Sequence, residues 1–166
     1  MFILASCAKE KSDPVSPQEV QQDSALKKGN SGKNFAVHMT GDQEVPPAQT
    51  NAVGQSIFHL RKNGTELHYR VIVANIENVT MAHIHLAPSG ANGPVAAWLY
   101  PSGPPAQLIP GPYNGVLATG VITSSNLVGP LSGMDLSDLV DYLNDGNAYV
   151  NVHTSQFPGG EIRGQF

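Results

Sequence analysis

The stretch Ser56-Ile57-Phe58-His59-Leu60-Arg61-Lys62-Asn63-Gly64-Thr65-Glu66-Leu67-His68-Tyr69-Arg70-Val71-Ile72-Val73 decides the fold. Asn63-Gly64 stands between two runs in which apolar and polar residues alternate. Asn-Gly is the favoured pair for a two-residue hairpin turn, because both residues accept positive φ. With the turn there, Lys62 opposes Thr65, Arg61 opposes Glu66, Leu60 opposes Leu67, His59 opposes His68 and Phe58 opposes Tyr69. That register puts Phe58, Leu60, Leu67, Tyr69, Val71 and Val73 on one buried face. Arg61 and Glu66 are expected to face outward as a cross-strand ion pair, with His59 and His68 as a solvent-exposed polar pair. A one-residue slip would turn the whole apolar set to solvent, so the register is self-consistent.

Outward from this hairpin, short apolar alternations bounded by turn residues predict strands at 35–40, 81–86, 95–99, 116–123, 148–154 and 161–166. Leu136, Leu139, Val140 and Leu143 follow the i, i+3, i+4, i+7 spacing and predict one short helix over 135–144. Asp135 is placed to cap it, and Gly146 stands where it would stop. The Pro-rich segment 101–112 is expected to be a surface loop, since proline cannot serve in a central strand. The pattern is that of an all-β sandwich with one helix.

Composition narrows the function classes. Of the 166 residues, 13% are charged, and Gly 17 and Pro 13 favour short strands and turns. Residues 34–166 hold four basic side chains (Arg61, Lys62, Arg70, Arg163) against nine acidic ones. An acidic domain with scattered cations does not bind polyanions, which excludes nucleic acid as a partner. No Gly-x-Ser-x-Gly elbow or phosphate-binding loop occurs.

The single cysteine, Cys7, allows no intrachain disulfide. Its context, Leu4-Ala5-Ser6-Cys7, resembles a bacterial lipobox, so residues 1–7 are expected to be a truncated lipoprotein signal with Cys7 as the lipidation site. Residues 8–33 have few apolar residues and no aromatics. A segment of that kind cannot offset its ordering entropy and is expected to be a disordered linker. Residues 34–166 form the domain. These features imply an extracytoplasmic protein of the cell envelope, periplasmic or at the cell surface, whose membrane partner is lipid carried on Cys7.

Three histidines carry the chemical signal. His83 and His85 are separated by one residue on an expected strand and therefore project from one face. His153 alternates with Val150 and Val152 on another strand. If the two strands are neighbours, three imidazoles converge. Imidazole nitrogen suits zinc, copper, iron and nickel, and three protein ligands with an open position are typical of a reactive site. Equally, such histidines serve as polar residues hydrogen-bonded under loops. Metal binding of this kind would weaken below about pH 6, where protons compete for imidazole.

Four blocks together resemble the CHRD (chordin) domain. They are Gly41-Asp42-Gln43-Glu44-Val45-Pro46-Pro47, Thr80-Met81-Ala82-His83-Ile84-His85 with Gly90-Ala91-Asn92-Gly93-Pro94-Val95, the run from Gly146 to Thr154, and the run from Pro158 to Gln165. They occur in family order across residues 35–166. The resemblance implies a Greek-key β-sandwich, often in secreted or lipid-anchored bacterial proteins. A more distant resemblance links His83-Ile84-His85 and the His153…Gly159-Gly160-Glu161-Ile162-Arg163-Gly164 end to copper/zinc superoxide dismutases. It implies a superoxide dismutase-like fold, copper on His83, His85 and His153, and Arg163 as a candidate catalytic guide for a small anionic or redox substrate. The bridging histidine, zinc ligands and disulfide of that family have no counterparts here. Glu44 and Glu161 lie in the matching blocks and are candidates to orient a ligand imidazole.

Two functions are therefore expected: copper handling or one-electron redox chemistry such as superoxide dismutation, or a metal-free adhesion module contacting protein or glycan through sandwich loops. Fold alone does not separate them. Removing residues 1–33 is expected to leave a cooperatively unfolding domain, and limited proteolysis should stop near residue 34. A truncated chain that lost its unfolding transition would contradict this domain boundary.

Overall fold

The computed structural model describes Met1 and residues 33–166, so Cys7 and the expected linker apart from Lys33 lie outside the described residues. Seven strands and one α-helix make up the regular structure: β1 (Asn34–Thr40), β2 (Val53–Arg61), β3 (Glu66–His85), β4 (Val95–Tyr100), β5 (Ile109–Ile122), α1 (Leu136–Asn144), β6 (Tyr149–Thr154) and β7 (Ile162–Gln165). All pairings are antiparallel. The ladder runs β2-β1-β7-β6-β3-β4, with β5 on β3 and a further β2–β3 pairing. Strands β1, β2, β3, β6 and β7 thus close on one another, and the sheet is a barrel-like sandwich. The chain is all-β with a single α-helix among the described residues.

The hairpin register is the one the alternation predicts. Phe58 opposes Tyr69, His59 opposes His68, Leu60 opposes Leu67 and Arg61 opposes Glu66. Phe58, Leu60, Leu67, Tyr69, Val71 and Val73 are all buried. Asn63 (φ 55°) and Gly64 (φ 93°) occupy the left-handed region, and Thr65 N–H donates to Lys62 O at 3.2 Å. The ladder stops at Arg61–Glu66, because Lys62 also turns left-handed, at φ 49°. That turn changes the expected ion pair. Lys62 reaches Glu66 at 2.8 Å, His68 lies 2.9 Å from the other oxygen of the same carboxylate, and Arg61 is left exposed. His59 and His68 likewise do not pair with each other, since His59 Nδ1 lies 2.6 Å from Asn34 Oδ1.

The main departure from the expected elements is β3. Its 20 residues span what the sequence divides into two strands. Asn75 (φ 56°) and Asn78 (φ 53°) are left-handed, and the register shifts between Val73 and Ile76 and between Glu77 and Val79. Asparagine tolerates that conformation, so the asparagines that read as a turn bulge the strand without ending it. Before the bulges β3 pairs with β2 as far as Ala74; from Val79 onward it pairs with β6. A second departure is β5, which starts at Ile109 and includes Pro110 and Pro112 where a loop is expected. Its ladder partner is β3 alone, so it is an edge strand, where a proline lacking its N–H does little harm.

The apolar core fills the inside of the closed sheet. It includes Met39, Phe58, Val71, Ile84, Val150 and Val152, and α1 adds Leu136, Leu139, Val140 and Leu143. The helix is capped as expected. Leu136 is its first residue, and Asp135 N–H donates to Asp138 Oδ2 at 2.9 Å. Gly146, at φ 71°, follows its end.

A Cβ at Gly64 would meet no atom within 4 Å, so substitution there tests backbone conformation alone. Gly64→Val is expected to destabilise by roughly 1–3 kcal/mol, because a β-branched residue resists positive φ. Urea unfolding measures this, and an unchanged midpoint would contradict the turn.

Candidate metal centre

Strand β6 shows why a polar site exists in so apolar a fold. All six of its residues are buried. Val150 and Val152 face the core, so Tyr149, Asn151 and His153 face the other way. Loops close over that second face. Arg163 on β7 donates to Ala91 O (2.9 Å) and Pro88 O (3.2 Å), and Asn92 Nδ2 donates to Val45 O at 2.6 Å. These bonds tie the segments around 41–50 and 86–94 to the sheet and to each other, and 155–161 is tied in by Thr50 Oγ1 donating to Glu161 and His153 Nδ1 to Pro158 O.

Register assembles the buried polar layer. His83 opposes Trp98 on β4 and Asn151 on β6, and Asn151 opposes Arg163 on β7. His85 opposes Tyr149, and His153 opposes Met81. The β3–β4 register shifts on either side of His83 and Ile84, and bulges of that kind re-aim side chains. As a result His83, His85 and His153 each offer one ring nitrogen, all within 4.8 Å of one another. The two strands that carry them are neighbours, as convergence requires. The exposures are 3%, 8% and 6%, so water has little access.

Hydrogen bonds set the tautomers. His85 Nδ1–H donates to Gly93 O at 2.8 Å, and His153 Nδ1–H donates to Pro158 O at 3.0 Å. Each ring then presents an unprotonated Nε2. His83 Nδ1 lies 3.2 Å from His153 Nε2, and since the latter carries no proton, His83 is the donor. This leaves Nε2 of both His83 and His85 buried with no hydrogen-bond partner. Aromatic rings wall the site. Trp98 meets His83 edge-on at 4.3 Å between ring centroids, and Tyr149 stacks on His85 at 4.9 Å. Tyr149 Oη also accepts from Gly93 N–H at 3.2 Å, fixing the residue whose carbonyl orients His85.

Burial holds the three rings neutral. It pulls His83 down to about 3, helped by repulsion from His153 and His85. His153 falls to about 4 for the same first reason, against its bond to Pro158. His85 is also lowered by burial, against its bonds to Gly93 and Asn151 and with the charge of Arg163 adding to the shift. Neutral imidazole is the metal-binding form. Three neutral imidazoles with converging nitrogens, two of them unpartnered, fit a late first-row transition metal. With protons such weak competitors, metal loss on acidification should occur nearer pH 4 than the pH 6 expected from free imidazole.

The other candidates take different places. Arg163 is 1% exposed. Its guanidinium donates to Ala91 O, Asn92 Oδ1, Pro88 O and Gln165 Oε1, and it lies 3.5 Å from the Tyr149 ring centroid. It is a clamp that holds the 88–92 loop and backs Tyr149, and it does not present a free cation to an incoming anion. Glu161 touches no imidazole; it accepts from Thr50 Oγ1 (2.6 Å) and Thr154 Oγ1 (2.7 Å), pinning the first loop to β6. Glu44 is 5% exposed and lies against Asn151, not against a histidine. Backbone carbonyls of Gly93 and Pro158 do the orienting expected of the glutamates, and backbone groups leave no mark in side-chain chemistry. Tyr149, Asn151 and Trp98 were not expected at the site. The signal for the first two was the alternation that placed His153, since all three share its parity.

The histidine shifts set an acid response in the metal-free domain. Unfolded imidazoles take protons near pH 6.5, whereas His83 and His153 stay neutral to about 3 and about 4. Stability should therefore fall as pH drops below about 6.5, by up to about 1.4 kcal/mol per pH unit for each such histidine. Glu44, raised to about 7 by burial, acts in the opposite sense: its share of stability is present at low pH and lost as pH rises from 4.5 through 7. Glu44→Gln should thus steepen the acid loss between pH 7 and 4.5. Urea titrations across that range measure both effects, and a stability flat in pH would refute the buried neutral histidines.

The model of the CHRD domain family matches residues 35–166, from the first strand to the last residue. No curated protein and no solved structure matches the chain. The matched span holds every strand, the helix and all three histidines, and the chain belongs to the CHRD domain family.

Proposed function

We propose that this CHRD domain holds one copper ion through His83, His85 and His153, at the outer side of a membrane to which Cys7 tethers it by lipid. The observation that carries the metal is the pair of buried, unpartnered imidazole nitrogens beside a third imidazole. A buried acceptor without a donor costs roughly 1–3 kcal/mol, and a metal ion removes that cost at both rings. Copper is favoured over zinc by the all-nitrogen donor set, since copper heads the divalent affinity order. The resemblance of His83-Ile84-His85 and the late His153 to copper-ligand elements supports the same choice.

Bound copper supplies one-electron exchange, which suits copper handling or a redox reaction such as superoxide dismutation. The chain's own residues provide the setting. Gly93 and Pro158 carbonyls hold two rings in one tautomer, and Trp98 and Tyr149 keep bulk water from the imidazoles. Arg163 keeps the 88–92 loop closed. A small anion or redox partner would reach the site between the loops, without a free arginine to receive it.

Titration with Cu(II), followed by electron paramagnetic resonance and elemental analysis, tests the reading. The wild type should take up one copper with a nitrogen-rich spectrum and prefer it to zinc. His83→Ala, His85→Ala or His153→Ala should each weaken binding at least tenfold, whereas His59→Ala and His68→Ala should leave it unchanged. Copper should stay bound at pH 5 and leave near pH 4. Retention of wild-type affinity and spectrum by His153→Ala would overturn the site and favour a metal-free binding module.

A further inference from the structure

The outward residues of the hairpin take no part in the metal centre. Phe58, Leu60, Leu67 and Tyr69 are buried, so Ile57, His59 and Arg61 of β2 and Glu66, His68 and Arg70 of β3 point away from the core. On one side β1 adds Asn34 opposite His59 and His38 opposite Gln55. On the other, β5 adds Val121 opposite His68 and Thr119 opposite Arg70. These strands form one continuous sheet face. A groove of about 560 Å³ runs over it, lined by Arg61, Arg70 and the two histidines between them.

Charge is distributed unevenly around the domain. The described residues include five lysines and arginines: Lys33, Arg61, Lys62, Arg70 and Arg163. Arg163 is buried. Arg61, Lys62 and Arg70 are exposed on this face or at its turn, and Lys33 is exposed where the chain enters it. His38, His59 and His68, the three histidines outside the metal centre, lie here as well. Glu66 is the one acid on the face, and Lys62 neutralises it at 2.8 Å. Neither Arg61 nor Arg70 meets a carboxylate among the described residues. Of the other acids, Asp135, Asp138, Asp141 and Asp145 lie on or beside α1, Asp42, Glu44 and Glu161 between strands, and Glu77 on β3 beyond its first bulge. Cations that are scattered in the sequence are thus gathered by strand pairing. At physiological salt, charges beyond about 8 Å are largely screened, so a surface that approaches this face meets its cations and not the net charge of the domain.

The position of the chain's entry selects the occupant. Asn34 opposes His59, and its Oδ1 lies 2.6 Å from His59 Nδ1, so the segment leading back to Cys7 starts at the edge of the cationic face. A flexible linker of the 26 residues between Cys7 and Asn34 would span about 30 Å. We propose that the outer face of β2, β3 and the end of β5 is a docking surface for a bilayer of anionic phospholipid, which Arg61 and Arg70 meet at its phosphates. Val121, 41% exposed, gives the face an apolar contact beside them. Each such cation contributes about a fivefold gain in partition, which is weak for a free domain and sufficient to orient one already tethered. Delivery by Cys7 rests on the lipid-tether reading; the affinity of the face does not.

The test uses the full chain with Cys7→Ser, so that no lipid on the protein contributes. Vesicles are made of phosphatidylglycerol mixed with phosphatidylcholine, or of phosphatidylcholine alone. The protein should sediment with the anionic vesicles, less so as salt rises, and not with the neutral ones; equal behaviour with both overturns the proposal. Arg61→Gln/Arg70→Gln should lower the partition about 25-fold. Glu66→Gln should raise it about fivefold, while Asp141→Asn, the same charge change on α1, leaves it unchanged. An unaffected arginine variant, or equal gains in the two acid variants, would assign the attraction to the N-terminal segment or to net charge and overturn the face. Glycerol phosphate should displace the protein no better than sodium chloride of equal ionic strength; stronger displacement would mean a site for a soluble anion and would overturn the bilayer. Absence of lipid on Cys7 of the chain recovered from cells defeats the tether reading, and the vesicle result still decides the face.

Discussion

The unbroken backbone ladder of β3 is the constraint on which the rest of the molecule depends. One strand pairs with β2 and β5 over its first part and with β4 and β6 over its last. It can do so only because two left-handed asparagines bend it without freeing its hydrogen bonds for long. Straightened, it would extend one flat sheet; broken, it would leave the β1–β2 and β6–β7 pairs joined only where β1 meets β7. The bend returns the chain so that β7 meets β1, where Thr40 opposes Arg163. His83 and His85 sit on the part beyond the bend, and His153 on β6, which pairs with that part.

From this follows an unusual division of one sheet. The inner face is apolar and needs no further account. The outer face of β3, β6 and β7 is also buried, but with Tyr149, Asn151, His153, His83 and Arg163, because three loops are drawn down over it. The loops are held by hydrogen bonds with buried side chains: Arg163 donates to the Pro88 and Ala91 carbonyls, Glu161 accepts from Thr50 Oγ1, and His153 donates to Pro158 O. Buried polar groups are destabilising when unpaired and rigidifying when satisfied. Most here are satisfied. Among those that are not, Nε2 of His83 and of His85 belong to one cluster of three imidazoles, and that concentration points to a ligand there.

The rigidity has a chemical consequence. Each imidazole is oriented by a group that cannot rotate away: two backbone carbonyls and a neighbouring ring. Gly93 is itself fixed, since a Cβ there would collide with Leu86 O at 1.9 Å. Two ligand nitrogens are thus free and the rings already in the neutral form that binds an ion, while His153 Nε2 must give up its bond from His83 Nδ1–H to join them.

How much of this was legible depends on whether the information is local. The hairpin register, the capped helix and the shared parity of His83 with His85 are set by alternation, turn chemistry and 3.6-residue spacing, all short-range properties of the chain. They read correctly from residues 56–73, 135–146 and 83–85. The CHRD blocks likewise lie in the sequence itself. Tertiary structure alone decided the rest. Asn75 and Asn78 have the chemistry of a turn, and only the partners waiting on both sides make them bulges. Arg163 carries a charge that reads as free until four acceptors surround it. Asn151 becomes part of the site because β3 and β7 flank β6, and Gly93 and Pro158 because their carbonyls, which every residue has, happen to face the imidazoles. A sequence specifies which groups a strand offers and to which side; the closing of distant strands and loops decides which of them meet.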